Sequence, residues 1–245
     1  MLDPSSAWLP VLVAAVALAY SAVGHGGASG YLALLAFAAV ASREASTMAL
    51  VLNLLVSGLA FVLFRRAKHF DAKLVLPFVL GSVPAAFVGG AIRVPDDVFR
   101  WLLSLVLAYA AITLLAKAPT SGSQICLPKG PVPVLSGVGI GLLSGIIGVG
   151  GGIFLSPLLL LARWANAKQA AAASSVFIFA NSASGLAAKA SGGLALPPHA
   201  PTLALAGVVG ALSGAYFGSH RIADRGLRAL LGIVLFSAAL KLAFR

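Results

Sequence analysis

Charged side chains are scarce in this sequence. Only 9% of the 245 residues are Asp, Glu, Lys or Arg, and 60% are hydrophobic, whereas about a quarter of the residues in a soluble domain are charged. A water-soluble surface cannot be built from so few charges. Long uncharged runs follow one another, and several exceed the ~18 apolar residues that mark a membrane-spanning helix. The composition therefore predicts an all-α polytopic membrane protein.

Cysteine is almost absent, and acidic residues are few. Cys126 is the single cysteine, which excludes a disulfide framework and a thiolate metal site, and no metal or cofactor is predicted. Every carboxylate lies at the end of an apolar run, so none is expected at the membrane centre, where cation carriers normally place one. This distribution favours an anionic substrate. The carboxylates are those of Asp3, Glu44, Asp71, Asp96, Asp97 and Asp224.

Basic residues outnumber acidic ones, and the formal net charge is +11. They are scattered at the ends of apolar runs and form no stripe, so they indicate membrane topology and lipid contact instead of nucleic-acid binding. The first apolar run has no basic segment before it, so we interpret it as part of the mature protein. We expect a multi-pass protein of the inner (plasma) membrane. The arginines interpreted as interfacial anchors that could also guide a substrate are Arg93, Arg100, Arg221 and Arg228.

Two uncharged runs are too long for one straight helix. They cover residues 4–42 and 130–162, and at about 1.5 Å per residue each would exceed the ~30 Å hydrocarbon core. Each must break inside the membrane, and the pattern G-x-G-G at residues 24–27 and 148–151 predicts where. The remaining runs have the length of plain spanning helices. They cover residues 45–64, 74–92, 101–116, 169–188, 201–219 and 227–244.

The two halves of the chain resemble each other. Asn53 and Asn181 follow the glycine clusters at similar distances, and Arg100 and Arg228 come 47 residues after these asparagines. We therefore predict a first membrane repeat over residues 1–120, a linker over 121–129 and a second repeat over 130–245. Each repeat is expected to contain one glycine-broken or re-entrant helix and three spanning helices.

Loop charges bear on the orientation of these repeats. If each broken run enters and leaves the membrane on one side, Lys and Arg number eleven on one face and six on the other. If each broken run crosses fully, the numbers are nine and eight. The positive-inside rule favours the first arrangement, in which the repeats are inverted and both termini lie outside. The parallel arrangement stays open.

Broken helices in corresponding positions of two halves indicate a transport site. Irregular backbone persists at membrane depth only where it lines a cavity or is buried in protein. A half-helix that restarts there points free N–H groups at the break, which suits an anion. The candidate substrate-binding residues are glycines of the breaks with nearby polar side chains: Gly24, His25, Gly26, Gly27, Ser29, Asn53, Gly148, Gly150, Gly151, Gly152, Ser156, Ser174, Ser175 and Asn181.

Each feature also has a structural explanation. Glycines can serve close helix packing, which is the better explanation for the row at 210, 214 and 218. Asn53 and Asn181 could form an interhelical hydrogen bond without any ligand. His25 could bind an anion or couple transport to pH when protonated, or it could be a packed structural residue.

Along nearly its whole length the sequence resembles the sulfite exporter TauE/SafE family of membrane permeases. The second half carries the closer match, in G-V-G-G-G at 148–152, Pro157, residues 170–175 and N-S-A-S-G at 181–185. The first half matches more loosely at residues 24–30, 45–47 and 53–58, and it lacks the proline after the break. The resemblance implies a two-repeat permease of about eight segments for sulfite, sulfonates or related small organic anions.

These observations predict a secondary transporter, and no enzyme, for a small anion such as sulfite, a sulfonate or a related organosulfur anion bound between the two breaks. The expected partners are that anion and the lipid bilayer, without nucleic acid. A coupling proton or sodium ion and an oligomer stay open. The alternatives are a passive anion channel and a membrane scaffold without transport. An intramembrane enzyme would need convergent titratable groups, which His25 alone does not supply.

Overall fold

The computed structural model describes residues 8–115 and 130–220, together with Pro128 and Phe236. Several predicted features lie outside these residues: Cys126, Asp3, Asp224, Arg221, Arg228, the run at 227–244 apart from Phe236, and most of the linker. The described part contains helices and no strand. The helices are α1 (Trp8–Ser21), α2 (Ala28–Phe37), α3 (Ser42–Arg66), α4 (Ala72–Ala91), α5 (Asp96–Leu115), α6 (Val132–Ile147), α7 (Gly152–Leu161), α8 (Ala167–Ser191) and α9 (Ala200–His220).

Four of these helices are long and apolar enough to cross a membrane by length and composition. They are α3, α4, α8 and the Ala200–Gly218 part of α9, and α5 coincides with a fifth predicted run. The helices α1, α2, α6 and α7 are shorter and apolar, and they form the two pairs expected from the long runs. The predicted all-helical polytopic class is confirmed.

Glycines end and restart the helices at both predicted breaks. Gly27, with φ of 92°, precedes α2, and Gly151, with φ of 82°, precedes α7. Gly148, with φ of 88°, follows the last residue of α6. A left-handed backbone costs an L residue with a side chain roughly 1–2 kcal/mol. Glycine removes that cost, and the chain reverses within a few residues.

Helix α9 packs closely against α1 through small residues. Gly210 lies against the carbonyl of Ala14 and Gly218 against that of Ala22, so the two helices run in the same direction. A Cβ built on Gly214 between them would overlap the backbone of α1. This glycine row therefore serves close packing, as its spacing predicts.

Helix α6 packs against α4 in a similar way. Gly137 lies against the carbonyl of Phe78 and Gly145 against that of Ala86, so these two helices also run in the same direction. Between these two pairs, α3 and α8 pack against each other, α3 also packs against α9, and α8 also packs against α4. Helix α2 packs on α3, and α7 packs on α8.

Polar contacts at the helix ends define the two faces of the bundle. Arg43 at the start of α3 donates to the carbonyl of Gly192, just after α8, and both line one cavity with Arg93, just after α4. We call this end the Arg43 face. At the other end, the Lys68 face, His69 of the α3–α4 link lies near the start of α8, where burial and then the charge of Lys168 lower the pKa of His69.

Each broken pair forms a hairpin that returns to the face on which it began. Helix α9 follows the end of α8 and starts at the Arg43 face; α1 runs parallel to α9, and α2 leads back into the start of α3 at that face. Helix α6 runs parallel to α4 from the Lys68 face, and α7 leads back into the start of α8 there. The two hairpins therefore enter the bundle from opposite faces.

We expect Gly141→Ala to destabilise the protein, because its Cβ would overlap the Ser82 carbonyl oxygen where α6 meets α4. The loss should be about 1–3 kcal/mol, the usual cost of overpacking, measured as thermal unfolding in detergent. The control is Gly139→Ala in the same helix, where a Cβ meets nothing within 4 Å and stability should hold or rise slightly. Equal losses in both variants would contradict this packing.

Candidate functional site

The two glycine breaks meet at the side chain of Asn53, in the middle of α3. A Cβ built on Gly26 would overlap Asn53 Oδ1, and one built on Gly150 would lie 2.6 Å from Asn53 Nδ2. The same two Cβ positions would lie 3.0 Å and 2.7 Å from the Ile178 side chain in α8. Backbone from both breaks therefore converges between α3 and α8.

Two polar side chains of α8 lie beside the second break. A Cβ on Gly150 would lie 3.1 Å from Ser182 Oγ, and one on Gly151 would lie 3.5 Å from Asn181 Nδ2. Like Asn53, both side chains are fully buried. We use the term junction for the residues that meet here, which are Gly26, Asn53, Gly150, Asn181 and Ser182.

The polar side chains of the junction lack hydrogen-bond partners within the described part of the chain. Both polar atoms of Asn53, both of Asn181 and the hydroxyl of Ser182 are buried and unpaired there. The interhelical hydrogen bonds that the sequence left open for Asn53 and Asn181 are not formed among these residues. Burying such a group without a partner costs roughly 1–3 kcal/mol by mutational data. The junction is therefore a cluster of costly polar groups at the centre of an apolar bundle.

Each break also places a helix N-terminus close to the junction. Helix α2 begins after Gly27 and α7 after Gly151, and neither start has a side-chain cap. The first N–H groups of a helix have no partner within it, and they carry the positive end of the helix dipole. Donors from two helix starts near one buried amide are a suitable arrangement for an anion.

The predicted serines lie around the breaks with their hydroxyls already paired. Ser29 Oγ lies 3.0 Å from the hydroxyl of Tyr20, and Ser156 Oγ lies 2.6 Å from Ser174 Oγ. Ser175 Oγ donates over 2.8 Å to a backbone carbonyl of its own helix. The first two pairings hold α2 to α1 and α7 to α8. The hydroxyls of these serines are therefore bonded to the protein itself.

His25 is half-buried in the first break. Its Nδ1 lies 3.0 Å from the carbonyl oxygen of Val23, and its ring centroid lies 6.5 Å from that of Tyr20 in an edge-on arrangement. Both contacts are local to the chain reversal. The structural explanation that the sequence left open for this histidine is therefore consistent with its surroundings.

The remaining predicted glycines lie in close contact with helices at the edges of the breaks. Gly24 lies against the backbone of α8, and a Cβ on Gly148 would lie 2.6 Å from Ser46 Oγ. A Cβ on Gly27 would lie 2.8 Å from the ring of Tyr31, and one on Gly152 would overlap a side chain of α8. A side chain is therefore excluded at each of these glycines.

Sequence reasoning did not identify Ser182 or Ile178. Ser182 directly follows an intramembrane asparagine within the N-S-A-S-G segment, and that position is the signal that could have found it. Ile178 is one of many apolar residues in its helix, and only the packing of α8 against the breaks distinguishes it.

Comparison with known proteins gives two matches. Residues 9–242 match the family model described as sulfite exporter TauE/SafE. The chain is 34% identical over 245 residues to the probable membrane transporter protein y4hK of Sinorhizobium fredii (strain NBRC 101917 / NGR234), an alignment that covers 98% of this chain and 99% of that protein. No solved structure matches the chain.

We expect Asn181→Leu to keep or raise thermal stability without substrate, because leucine of similar shape removes two buried polar atoms that lack partners. The gain should not exceed the desolvation cost of about 1–3 kcal/mol, measured by thermal unfolding in detergent. The control is Asn166→Leu. Asn166 caps α8 by accepting a hydrogen bond of 2.9 Å from the backbone nitrogen of Gln169, and loss of this cap should lower stability by about 1 kcal/mol. A loss in Asn181→Leu as large as in the control would mean that its amide is bonded.

Proposed function

Because the chain belongs to the sulfite exporter TauE/SafE family, we propose that it is a secondary transporter that binds a small anion at the junction. Family membership and the long apolar helices make it a multi-pass membrane transporter, consistent with the plasma membrane. Sulfite, a sulfonate or a related organosulfur anion is the proposed substrate class, in keeping with the family description. The proposal includes no catalytic step.

The unpaired polarity of the junction is the observation that carries the proposal. An anion that leaves water needs hydrogen-bond donors to replace its hydration shell. The amides of Asn53 and Asn181 and the hydroxyl of Ser182 have unpaired, fully buried polar atoms among the described residues. The starts of α2 and α7 add backbone N–H groups. Neutral donors of this kind can bind an anion and still release it, which transport requires.

Two inverted repeats, residues 1–120 and 130–245, are the proposed architecture. The two hairpins start from opposite faces, as inverted repeats require. In these repeats α1 corresponds to α6 and α4 corresponds to α9. The contact between α1 and α9 therefore has its counterpart in the contact between α6 and α4, and both contacts exist. Each repeat would then supply one glycine break and one asparagine to the junction. Rocking of one repeat against the other would expose the junction alternately to the two sides of the membrane.

We predict that single cysteines at positions 68 and 163 react with impermeant reagents from the cytoplasmic side, and one at position 97 from the outside. Lys68 and Arg163 belong to the Lys68 face, which carries more of the basic residues and should be cytoplasmic. Asp97 lies at the start of α5 on the other face. Labelling in a background without Cys126 measures this. If 68 and 163 react from opposite sides, fully crossing parallel repeats replace the inverted ones.

We expect purified protein in liposomes to transport sulfite or a sulfonate in preference to carboxylates, in a panel that includes sulfate and is run with and without a pH gradient. Asn53→Ala and Asn181→Ala should each weaken apparent affinity by about 1–3 kcal/mol, or roughly 5- to 150-fold. The double variant Gly27→Leu, Gly151→Leu should abolish transport, because leucine would shield the backbone donors at the breaks.

The matched control for that double variant is Gly139→Leu in α6, where the glycine faces open space and transport should persist. Positive φ strains any side chain at Gly27 and Gly151, so size-exclusion profiles must accompany the assay. If the double variant aggregates, the asparagine variants decide alone. Wild-type affinity in both alanine variants, or full transport by a well-folded double variant, would contradict the proposed site.

A further inference from the structure

A second polar region lies on the Arg43 face, away from the junction. A cavity of about 370 Å³ opens there between the starts of α3 and α5 and the ends of α4 and α8. Three cations, Arg43, Arg93 and Lys189, line it together with one carboxylate, that of Asp96. The ion pair found among residues 8–115 and 130–220 joins Arg100 to Asp97, so the three cations have no carboxylate partner in this part of the chain.

Backbone contacts bring two of these cations together. Arg43 Nη2 donates to the carbonyls of Gly192 and Gly193 over 2.6 Å and 2.8 Å, which fixes the guanidinium at the cavity wall. A Cβ on Gly192 would lie 3.0 Å from Arg93 Nη2 and 3.9 Å from Arg43 Nη2, so both guanidinium groups approach the same residue. Like charges held this close repel each other, and an anion between them would relieve that repulsion.

The inner end of the cavity reaches the second glycine break. Its lining includes Ser46 and Ile146. Ser46 Oγ donates over 2.9 Å to the carbonyl of Ile147, the last residue of α6, and the same side chain lies against Gly148. The cationic cavity and the break that leads to the junction therefore share one wall.

The position of these cations is not explained by topology. In the proposed orientation the Arg43 face is external, and the positive-inside rule concentrates Lys and Arg on the opposite face. Among the described residues the Arg43 face carries Arg43, Arg93, Arg100 and Lys189. Three of them surround one cavity and lie half-buried or exposed along its wall, which indicates a function beyond anchoring.

We infer that this cavity is an external anion-binding vestibule that binds the transported oxyanion on its path between the external side and the junction. Its net charge of +2, from three cations and one carboxylate, attracts anions and raises their local concentration. The identity of the ligand as substrate depends on the proposed function. A phosphate headgroup of an anionic lipid has the same chemistry, so the test separates the two sources.

The test compares the double variant Arg93→Gln, Lys189→Gln with the wild type. The charge-matched control is the double variant Arg66→Gln, Lys73→Gln, which removes two exposed cations on the opposite face. Arg43 is left intact because it bonds the backbone. Sulfite is the probe. In liposomes we expect an apparent KM about 5- to 30-fold higher for entry from the Arg43 face, with little change in maximal rate, since two cations near one anion are removed. The control should leave KM unchanged.

Equilibrium binding of sulfite in a neutral detergent, with and without added phosphatidylglycerol, is the second arm. Loss of sulfite binding in the double variant, with binding retained in the control, supports the vestibule. If that result is obtained but no anion is transported, only the proposed function fails. Unchanged binding and KM in the double variant would overturn the vestibule while leaving the junction in place. Displacement of sulfite by phosphatidylglycerol, with unchanged KM in the double variant, would assign the cations to lipid and also overturn it.

Discussion

Every backbone N–H and C=O group inside a membrane must find a partner within the protein, and the rest of this structure depends on that constraint. It explains why the segments of spanning length are helices and why the two glycine breaks lie inside the bundle. Both breaks are enclosed by α3 and α8 and reach the side chains of Asn53 and Ile178. Lipid could not satisfy the backbone N–H groups that these breaks leave open, whereas a bound anion could accept hydrogen bonds from them.

Close helix packing makes the enclosure of the breaks possible. Rows of glycine bring α9 against the carbonyls of α1 and α6 against those of α4. Two hairpins can therefore enter from opposite faces and still meet in the interior. Glycine thus has two distinct uses in this chain. Glycines of the breaks adopt left-handed φ angles, which those of the packing rows do not, and in the packing rows the absence of a side chain is what matters.

Much of the fold follows from run lengths and charge in the sequence. The predicted span over residues 45–64 corresponds to α3 (Ser42–Arg66), and the small difference arises because Arg and Glu at helix ends continue the helix into the interface. The two breaks follow from the length of the uncharged runs, because no straight helix of that length fits the hydrocarbon core, and the glycine clusters show where the breaks lie.

The composition of the junction could be predicted only in part. Asn53 and Asn181 carry a local signal, because amides are rare in apolar helices. The pairing of Ser156 with Ser174, the burial of Ser182 and the cation cluster around Arg43 depend on contacts between distant segments, which no local pattern specifies.

The position of a bound anion tests the central claim most directly. Selenite has the charge and shape of sulfite, and its selenium can be located by anomalous scattering in crystals of the protein. A site at the junction predicts an anomalous peak within about 4 Å of the Asn53 amide nitrogen, between Gly26 and Gly150, because the oxygen that accepts from this nitrogen lies about 3 Å away and the selenium lies one bond further. A peak elsewhere in the bundle, with the amides of Asn53 and Asn181 hydrogen-bonded to protein atoms, would contradict the account.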